Sequence, residues 1–340
     1  MSEALPTLWF VLIAVLWAGY LFLEGFDLGV GMLMKLVYRT DSQRRVLLNT
    51  VGPVWDGNEV WLITAIGATF AAFPAWYASL LSSLYLPFTA VLLGLIFRAV
   101  AFEWRGKVDS PAWRNRWDWA IALGSLTAAA GIGAALALTT TGLPINANGD
   151  REGGPFAWFN GYALLGAAAV VLFCLVHAAA FLALKTEGGV RGTALRVVRR
   201  FLPFALLPML AWALTVQVQG GTMLTALALV LAAGCAAASW RSARGNRDGR
   251  AFAALGAAMV LMVGSIFAAA FPVVLPSTLD PLFDLTVDSA SSSPYTLGLM
   301  SIVAAFGLPL ILAYQGWTYW VFRRRISERS IPAAHAVTPL

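Results

Sequence analysis

Four carboxylates lie inside stretches of this chain that are otherwise suited to hydrocarbon. Glu24 and Asp27 fall within GYLFLEGFDLGVG (19–31), and Asp56 and Glu59 within VGPVWDGNEVWL (51–62). An ionised side chain near the centre of a bilayer costs at least about 2.5 kcal/mol, so such residues meet a counter-charge, water or a proton route. A buried acid left without a partner is most stable with its proton on, and such a group can carry protons. The other chemistry open to these residues is structural. Asp56 follows Pro53 and precedes Glu59 by three residues, the spacing of a capping box with Asp56 at the N-cap. Glu24 or Asp27 could equally form a buried ion pair with Arg98.

The elements that position these residues follow from composition. Of 340 residues 59% are hydrophobic and 12% charged, and the mean hydropathy is +0.75. Apolar runs long enough to span a bilayer recur from end to end. The fold class expected is an all-α polytopic membrane protein with nine transmembrane helices, over 8–36, 51–73, 76–104, 117–141, 158–184, 201–218, 222–240, 252–274 and 295–322. The first run lacks the basic start and small-residue cleavage site of a signal peptide, so it is read as a retained helix.

Basic residues alternate between the connections. Lys35, Arg39, Arg44 and Arg45 close or follow the first span, and Arg105, Lys107, Arg114 and Arg116 the third. Lys185, Arg191, Arg196, Arg199 and Arg200 follow the fifth, Arg241, Arg244, Arg247 and Arg250 the seventh, and Arg323, Arg324, Arg325 and Arg329 the ninth. The other connections hold Arg151 and the acids Asp150, Glu152, Asp280, Asp284 and Asp288. The positive-inside rule then predicts an N-terminus outside and a C-terminus in the cytoplasm. Spans one to four and five to eight each begin and end outside. A single membrane domain is expected, built from two four-helix units (1–141, with the acidic cluster, and 158–274), a ninth helix (295–322) and a cytoplasmic tail (323–340). Lys35 and Lys185, closing the first and fifth spans, are the clearest echo between the units. The net charge of +6 is therefore a matter of topology and contact with anionic membrane lipid, and no nucleic acid is expected as a partner.

Depth can now be assigned. Asp27 lies roughly 12 Å inward of Lys35 at 1.5 Å per residue. Glu24 is one turn deeper on the same face, and Gly25 and Gly29 let another helix approach closely. Arg98 sits two turns before the cytoplasmic end of the third span. Asp118 opens the fourth within WRNRWDW, where it could join the acids or neutralise adjacent arginines. His177, on the fifth span, reads most simply as a hydrogen-bonded core residue, and one membrane histidine cannot supply the axial ligands of several haems. Cys174 and Cys235, both within apolar segments, have no disulfide or metal spacing, so no metal site is expected.

GFDLGVGML, the following loop with RR, WDGNEVWLITAIGATFAAFP, FRAVAFEWR, WRNRWDW and the late FPVVLPST occur in this order along the whole chain. Together they resemble subunit II of cytochrome bd-type quinol oxidases, with WDGNEVWL the most specific motif. The resemblance implies a subunit of a terminal oxidase in the bacterial inner (plasma) membrane that oxidises quinol and reduces oxygen to water. It implies a heterodimer with subunit I, which holds haem b and haem d and the quinol-oxidising loop, so no catalytic residue is expected in this chain. Small single-helix subunits often accompany the pair. The present subunit is implied to support haem assembly and a cytoplasmic proton intake, with Asp56 of WDGN first, Glu59 beside it, Glu24 and Asp27 deeper, Asp118 as a further acid and Arg98 as their charge partner. Some relatives carry Asp where this chain has Glu24. Some also bind a structural quinone, and Trp55 beside Asp56 is the residue that could line such a site.

Two other classes of function would use the same residues. A proton-coupled transporter or channel would need intramembrane acids too, but the clearest Gly/Pro interruptions, 25–31 and Pro272 with Pro276, form no symmetric pair of the kind inverted repeats produce. A purely structural assembly subunit would need none of the acids to titrate.

Overall fold

Pro6 opens a helix that runs unbroken for 32 residues, α1 (Leu5–Leu36). At about 48 Å it exceeds the roughly 30 Å hydrocarbon core. Its end is held by Lys35, which donates to Asn115 Oδ1 at 2.6 Å and lies over the Trp119 ring. The computed structural model describes residues 4–331; the last part of the expected tail, 332–340, lies outside the described residues.

The basic loop after α1 is itself helical. Thr40 and Gln43 cap α2 (Asp41–Val51) reciprocally, the arrangement that satisfies two otherwise free N–H groups. A turn through Gly52 and Pro53 then starts α3 (Trp55–Ala72). The capping box expected at Asp56 does not form: Val54 is the N-cap and no side chain caps the helix. Asp56 stands inside the first turn, where a negative charge favours the helix N-terminus.

The third expected span is two helices, α4 (Pro74–Ser83) and α5 (Tyr85–Trp104). Pro87 has no N–H and its ring clashes with the carbonyl four residues back, that of Ser83. The freed Ser83 oxygen accepts instead from Arg151 at 2.7 Å. The sixth expected span likewise begins early, as α8 (Gly188–Ala205), breaks at Leu206 before Pro208, and continues as α9 (Leu207–Gly220). The remaining long helices are α6 (Pro111–Thr141), α7 (Gly161–Lys185), α10 (Met223–Arg244), α11 (Asp248–Ala270) and α13 (Pro294–Val321). Between the last two, β1 (Val273–Leu275) pairs antiparallel with β2 (Leu285–Thr286), and a four-residue helix, α12 (Val287–Ala290), follows.

Eight helices among the described residues, with α8 and α9 taken as one, are long and apolar enough to cross a membrane. The helix expected as the second span, α3, is not among them, because Asp56, Asn58 and Glu59 dilute its start. The molecule is a polytopic all-helical membrane protein.

Helices α1, α6 and α7 form the centre, with α3 and α5 along one side and α8 to α11 along the other. Small residues set the closest approaches. A Cβ on Gly29 would overlap the Cys174 carbonyl oxygen of α7, one on Gly124 the Gly94 oxygen of α5, and one on Gly133 the Gly166 oxygen of α7. This is packing by backbone proximity, as helices associate in lipid. Helix α13 differs, with 6% of its apolar window buried. Near its start it is tied down by the Trp9 indole, which donates to Leu297 O at 3.2 Å and Ser301 Oγ at 3.1 Å.

The basic ends meet on one face. Tyr38 donates to Val190 O at 3.2 Å, Arg191 and Arg325 converge on Asp248 at 2.8 and 2.9 Å, and Lys185 donates to Phe322 O. Gly29→Ala is expected to destabilise the purified protein by about 1–3 kcal/mol through overpacking. Gly234→Ala on α10, with open space at the added Cβ, is expected to leave thermal unfolding unchanged or raise its midpoint. Melting of both variants in one detergent checks the pair.

Candidate functional site

Three helices bring the intramembrane charges together. Arg98 projects from α5 and is completely buried, as is Glu24 of α1. Its Nη1 lies 2.9 Å from Glu24 Oε1 and 3.6 Å from Glu59 Oε2 of α3. None of the three guanidinium nitrogens and neither Glu24 oxygen makes an aligned hydrogen bond among the described residues. The attraction is therefore one of proximity rather than a bidentate fork. Phe102 lies beneath the guanidinium at 5.0 Å.

Asp27, also fully buried, is held differently. Asn58 Nδ2 donates to Asp27 Oδ2 at 2.5 Å and to Leu23 O at 3.3 Å. The Asn58 oxygen accepts from Gln315 Nε2 at 3.1 Å and from the Tyr319 hydroxyl at 2.7 Å. The Trp61 indole completes the network by donating to Gln315 Oε1 at 2.8 Å. One amide thus joins α1, α3 and α13, and of the two acids open to pairing with Arg98 it is Glu24 that pairs. Asn58, Gln315 and Tyr319 were not among the residues singled out from sequence. Asn58 stood inside WDGNEVWL, and Gln315 is a lone amide in an apolar helix, but neither titrates as an acid would.

Charge does not balance here. Glu24, Asp27 and Glu59 surround a single Arg98, so full ionisation would leave two negative charges in a low-dielectric interior, which is strongly unfavourable. The outermost acid, Glu59, keeps 19% of its side chain exposed. One turn toward the helix start, Asp56 is exposed on the surface. Trp55 rests against Phe102, with ring centroids 5.1 Å apart, so the same phenyl ring neighbours both Trp55 and Arg98.

Asp118 is not brought into this group. It is buried between Arg105 Nε at 2.6 Å and Arg44 Nη1 at 2.9 Å, and Arg105 also reaches Asp41 at 2.6 Å. Burial pulls the Arg105 guanidinium down, but the bonds and charges of Asp118 and Asp41 outweigh it and hold the pKa above its ordinary value. Asp118 thus neutralises arginines, but they come from α2 and the end of α5, not from its own stretch.

His177 lies buried with Nε2 2.9 Å from the Phe22 carbonyl oxygen, its ring stacked against Phe173 and Phe252. Enclosed by aromatic rings and facing a carbonyl, it does not fit as an axial haem ligand. Among the described residues no group of three or more His, Cys, Asp or Glu could hold a metal ion.

The pattern of the family described as cytochrome bd terminal oxidase subunit II matches residues 5–322. The chain is 41% identical over 332 residues to cytochrome bd ubiquinol oxidase subunit 2 of Bacillus subtilis, covering 96% of this chain and 98% of that one. It is 32% identical over 382 residues to cytochrome bd-I ubiquinol oxidase subunit 2 of Escherichia coli, with 97% of each covered. Its fold is shared with a chain in the solved bd oxidase of Geobacillus thermodenitrificans, at a TM-score of 0.73 and 19% identity over 94% of this chain and 98% of that one.

Asp118→Asn is expected to cost roughly 2 kcal/mol, because it removes charged hydrogen bonds from Arg105 and Arg44. Asp41→Asn, at a half-exposed carboxylate, should cost under about 1 kcal/mol. Thermal unfolding of the two variants side by side reads the difference.

Proposed function

The chain belongs to the cytochrome bd terminal oxidase subunit II family, and on that premise we propose how it serves the oxidase. It is a subunit of an enzyme complex, and its partner is subunit I. The complex oxidises quinol and reduces oxygen. Haem b and haem d belong mainly to subunit I, and when bound they carry electrons from quinol to oxygen. The present chain supplies no axial ligand and supports the assembly of those groups by covering subunit I. It sits in the bacterial plasma membrane with nine spans, α3 included, N-terminus outside and basic face in the cytoplasm. Small single-helix subunits are further partners.

What this chain contributes chemically is proton intake. Reduction of one oxygen molecule to two waters takes up four protons, and taking them from the cytoplasm separates charge across the membrane. The supporting observation is the graded series from exposed Asp56, through half-buried Glu59, to Arg98 and fully buried Glu24. In the proposed route Asp56 collects protons at the mouth and Glu59 receives them one turn inward. Arg98 keeps Glu59 and Glu24 in one field, so protonating one favours ionising the other. Asp27, fixed by Asn58, adds a second buried acceptor. Asp118 lies off this route and anchors the ends of α2, α5 and α6.

Asp118 also supports the two-unit organisation. It opens the fourth expected span and binds Arg44, which follows the first. Asp248 opens α11, just ahead of the eighth expected span, and binds Arg191, which follows the fifth. The two units, 1–141 and 158–274, thus carry the same brace at equivalent places. A quinone against Trp55 would have to lie on the ring face that Phe102 leaves free.

The reading is tested on the complex purified through a tag on this chain. Haem b and haem d bands in its reduced-minus-oxidised spectrum, with a co-purifying larger membrane subunit, are expected. A stable, haem-free preparation of this chain alone would point instead to a proton-coupled transporter. Asp56→Asn should then lower oxygen consumption on the order of tenfold or more with the haem spectrum intact. Unchanged turnover would make the chain a scaffold.

A further inference from the structure

Several arginines of the basic face are engaged by carboxylates: Arg44, Arg105, Arg114, Arg191 and Arg325 each reach one within 4.0 Å. Arg39, Arg196 and Arg200 form no salt bridge among the described residues. Arg196 donates to the Thr193 hydroxyl at 2.9 Å, and Arg200 lies over the Phe201 ring at 5.6 Å. These three line one cavity of about 820 Å³ between the loop that follows α1 and the middle of α8. Arg196 and Arg200 are four residues apart and share a helix face. Arg199 forms part of the wall, its guanidinium already bound to Ala243 O at 2.9 and 3.0 Å and to Asn246 Oδ1 at 2.8 Å.

Toward the membrane the cavity changes character. Val37, Val197 and Phe201 line it and also line a second cavity of about 400 Å³. The other walls of that slot, from α1, α7 and α8, are wholly apolar and include Leu36, Leu172 and Phe204. Leu36 and Phe204 are exposed on the outer surface, so the slot opens sideways into hydrocarbon. Its volume is within the roughly 300–1,000 Å³ of small-ligand pockets.

From this juxtaposition of an acid-free arginine mouth and a continuous apolar slot, we infer that the α1–α8 groove binds one anionic phospholipid, with its phosphate among Arg39, Arg196 and Arg200 and an acyl chain along the slot. Guanidinium groups match phosphate oxygens in charge and geometry, and basic pockets between helices at the membrane boundary suit phospholipid headgroups. A free phosphate would satisfy the arginines and leave the slot unused. A zwitterionic lipid would fill the slot, but its headgroup cation would offset its phosphate and add a fourth positive charge beside the three arginines.

The test uses the complex purified through this chain, titrated with dioleoylphosphatidylglycerol, dioleoylphosphatidylcholine or inorganic phosphate. Native mass spectrometry counts retained lipid, and thermal unfolding reads stabilisation. Phosphatidylglycerol should be retained and should raise the melting midpoint, while the other two should do neither. Replacing Arg39, Arg196 and Arg200 with Gln should weaken phosphatidylglycerol binding about fivefold for each arginine removed. Val197→Trp, which fills the slot, should weaken it while leaving the arginines in place. Equal effects of the two lipids, stabilisation by inorganic phosphate alone, or undiminished binding by the triple variant would each overturn the site. The comparison of ligands needs no variant, so it decides the matter even where a substitution impairs assembly.

Discussion

A guanidinium buried in the membrane interior is the constraint around which this structure is arranged. Arg98 cannot lose its proton and cannot reach water from where it sits, so helices α1 and α3 must each deliver a carboxylate to it. Glu24 and Glu59 do so at 2.9 and 3.6 Å. Those distances require α1, α3 and α5 to stand close around one point. The small-residue contacts of the central helices, Gly29 against the Cys174 backbone and Gly124 against Gly94, hold the bundle tightly enough for that. The same region holds more acid than base, with Glu24, Asp27 and Glu59 near one guanidinium.

Much of this was legible before any coordinates. The nine apolar stretches all correspond to helical segments, and Glu24, Asp27, Glu59 and Arg98 do share one region. Hydropathy averages over a window, however, so it passed over the breaks at Leu84 and Leu206, although Pro87 and Pro208 mark both. It also passed over α2, which is polar on the outside and is recognisable only from Thr40 and Gln43. Which acid would face Arg98 could not be read from spacing, because Glu24 and Asp27 lie on the same helical face and the choice depends on where Asn58 arrives from α3. Asp118 was ambiguous for a like reason. Its own arginine-rich stretch suggested local neutralisation, but Arg44 and Arg105 come from elsewhere in the chain.

Two kinds of polar work are separated in space. At the basic face, charges are matched into braces around Asp118 and Asp248, each aspartate held by two arginines. Such matched groups suit fixed positions. Deeper in, charges are mismatched, with Glu24, Asp27 and Glu59 near the single Arg98.

Asn58 has a consequence for how the molecule is made. Its oxygen accepts from Gln315 and Tyr319, residues of α13, while Asp27 and Glu24 belong to α1. Synthesis runs from the first helix to the last, so a nascent chain with every earlier helix inserted still lacks both donors to that amide. Asp27 is therefore held by a half-satisfied partner until α13 docks. Because α13 is otherwise little buried, those polar bonds are a large part of what retains it. A late helix, α13, thus finishes the acidic cluster that α1 begins.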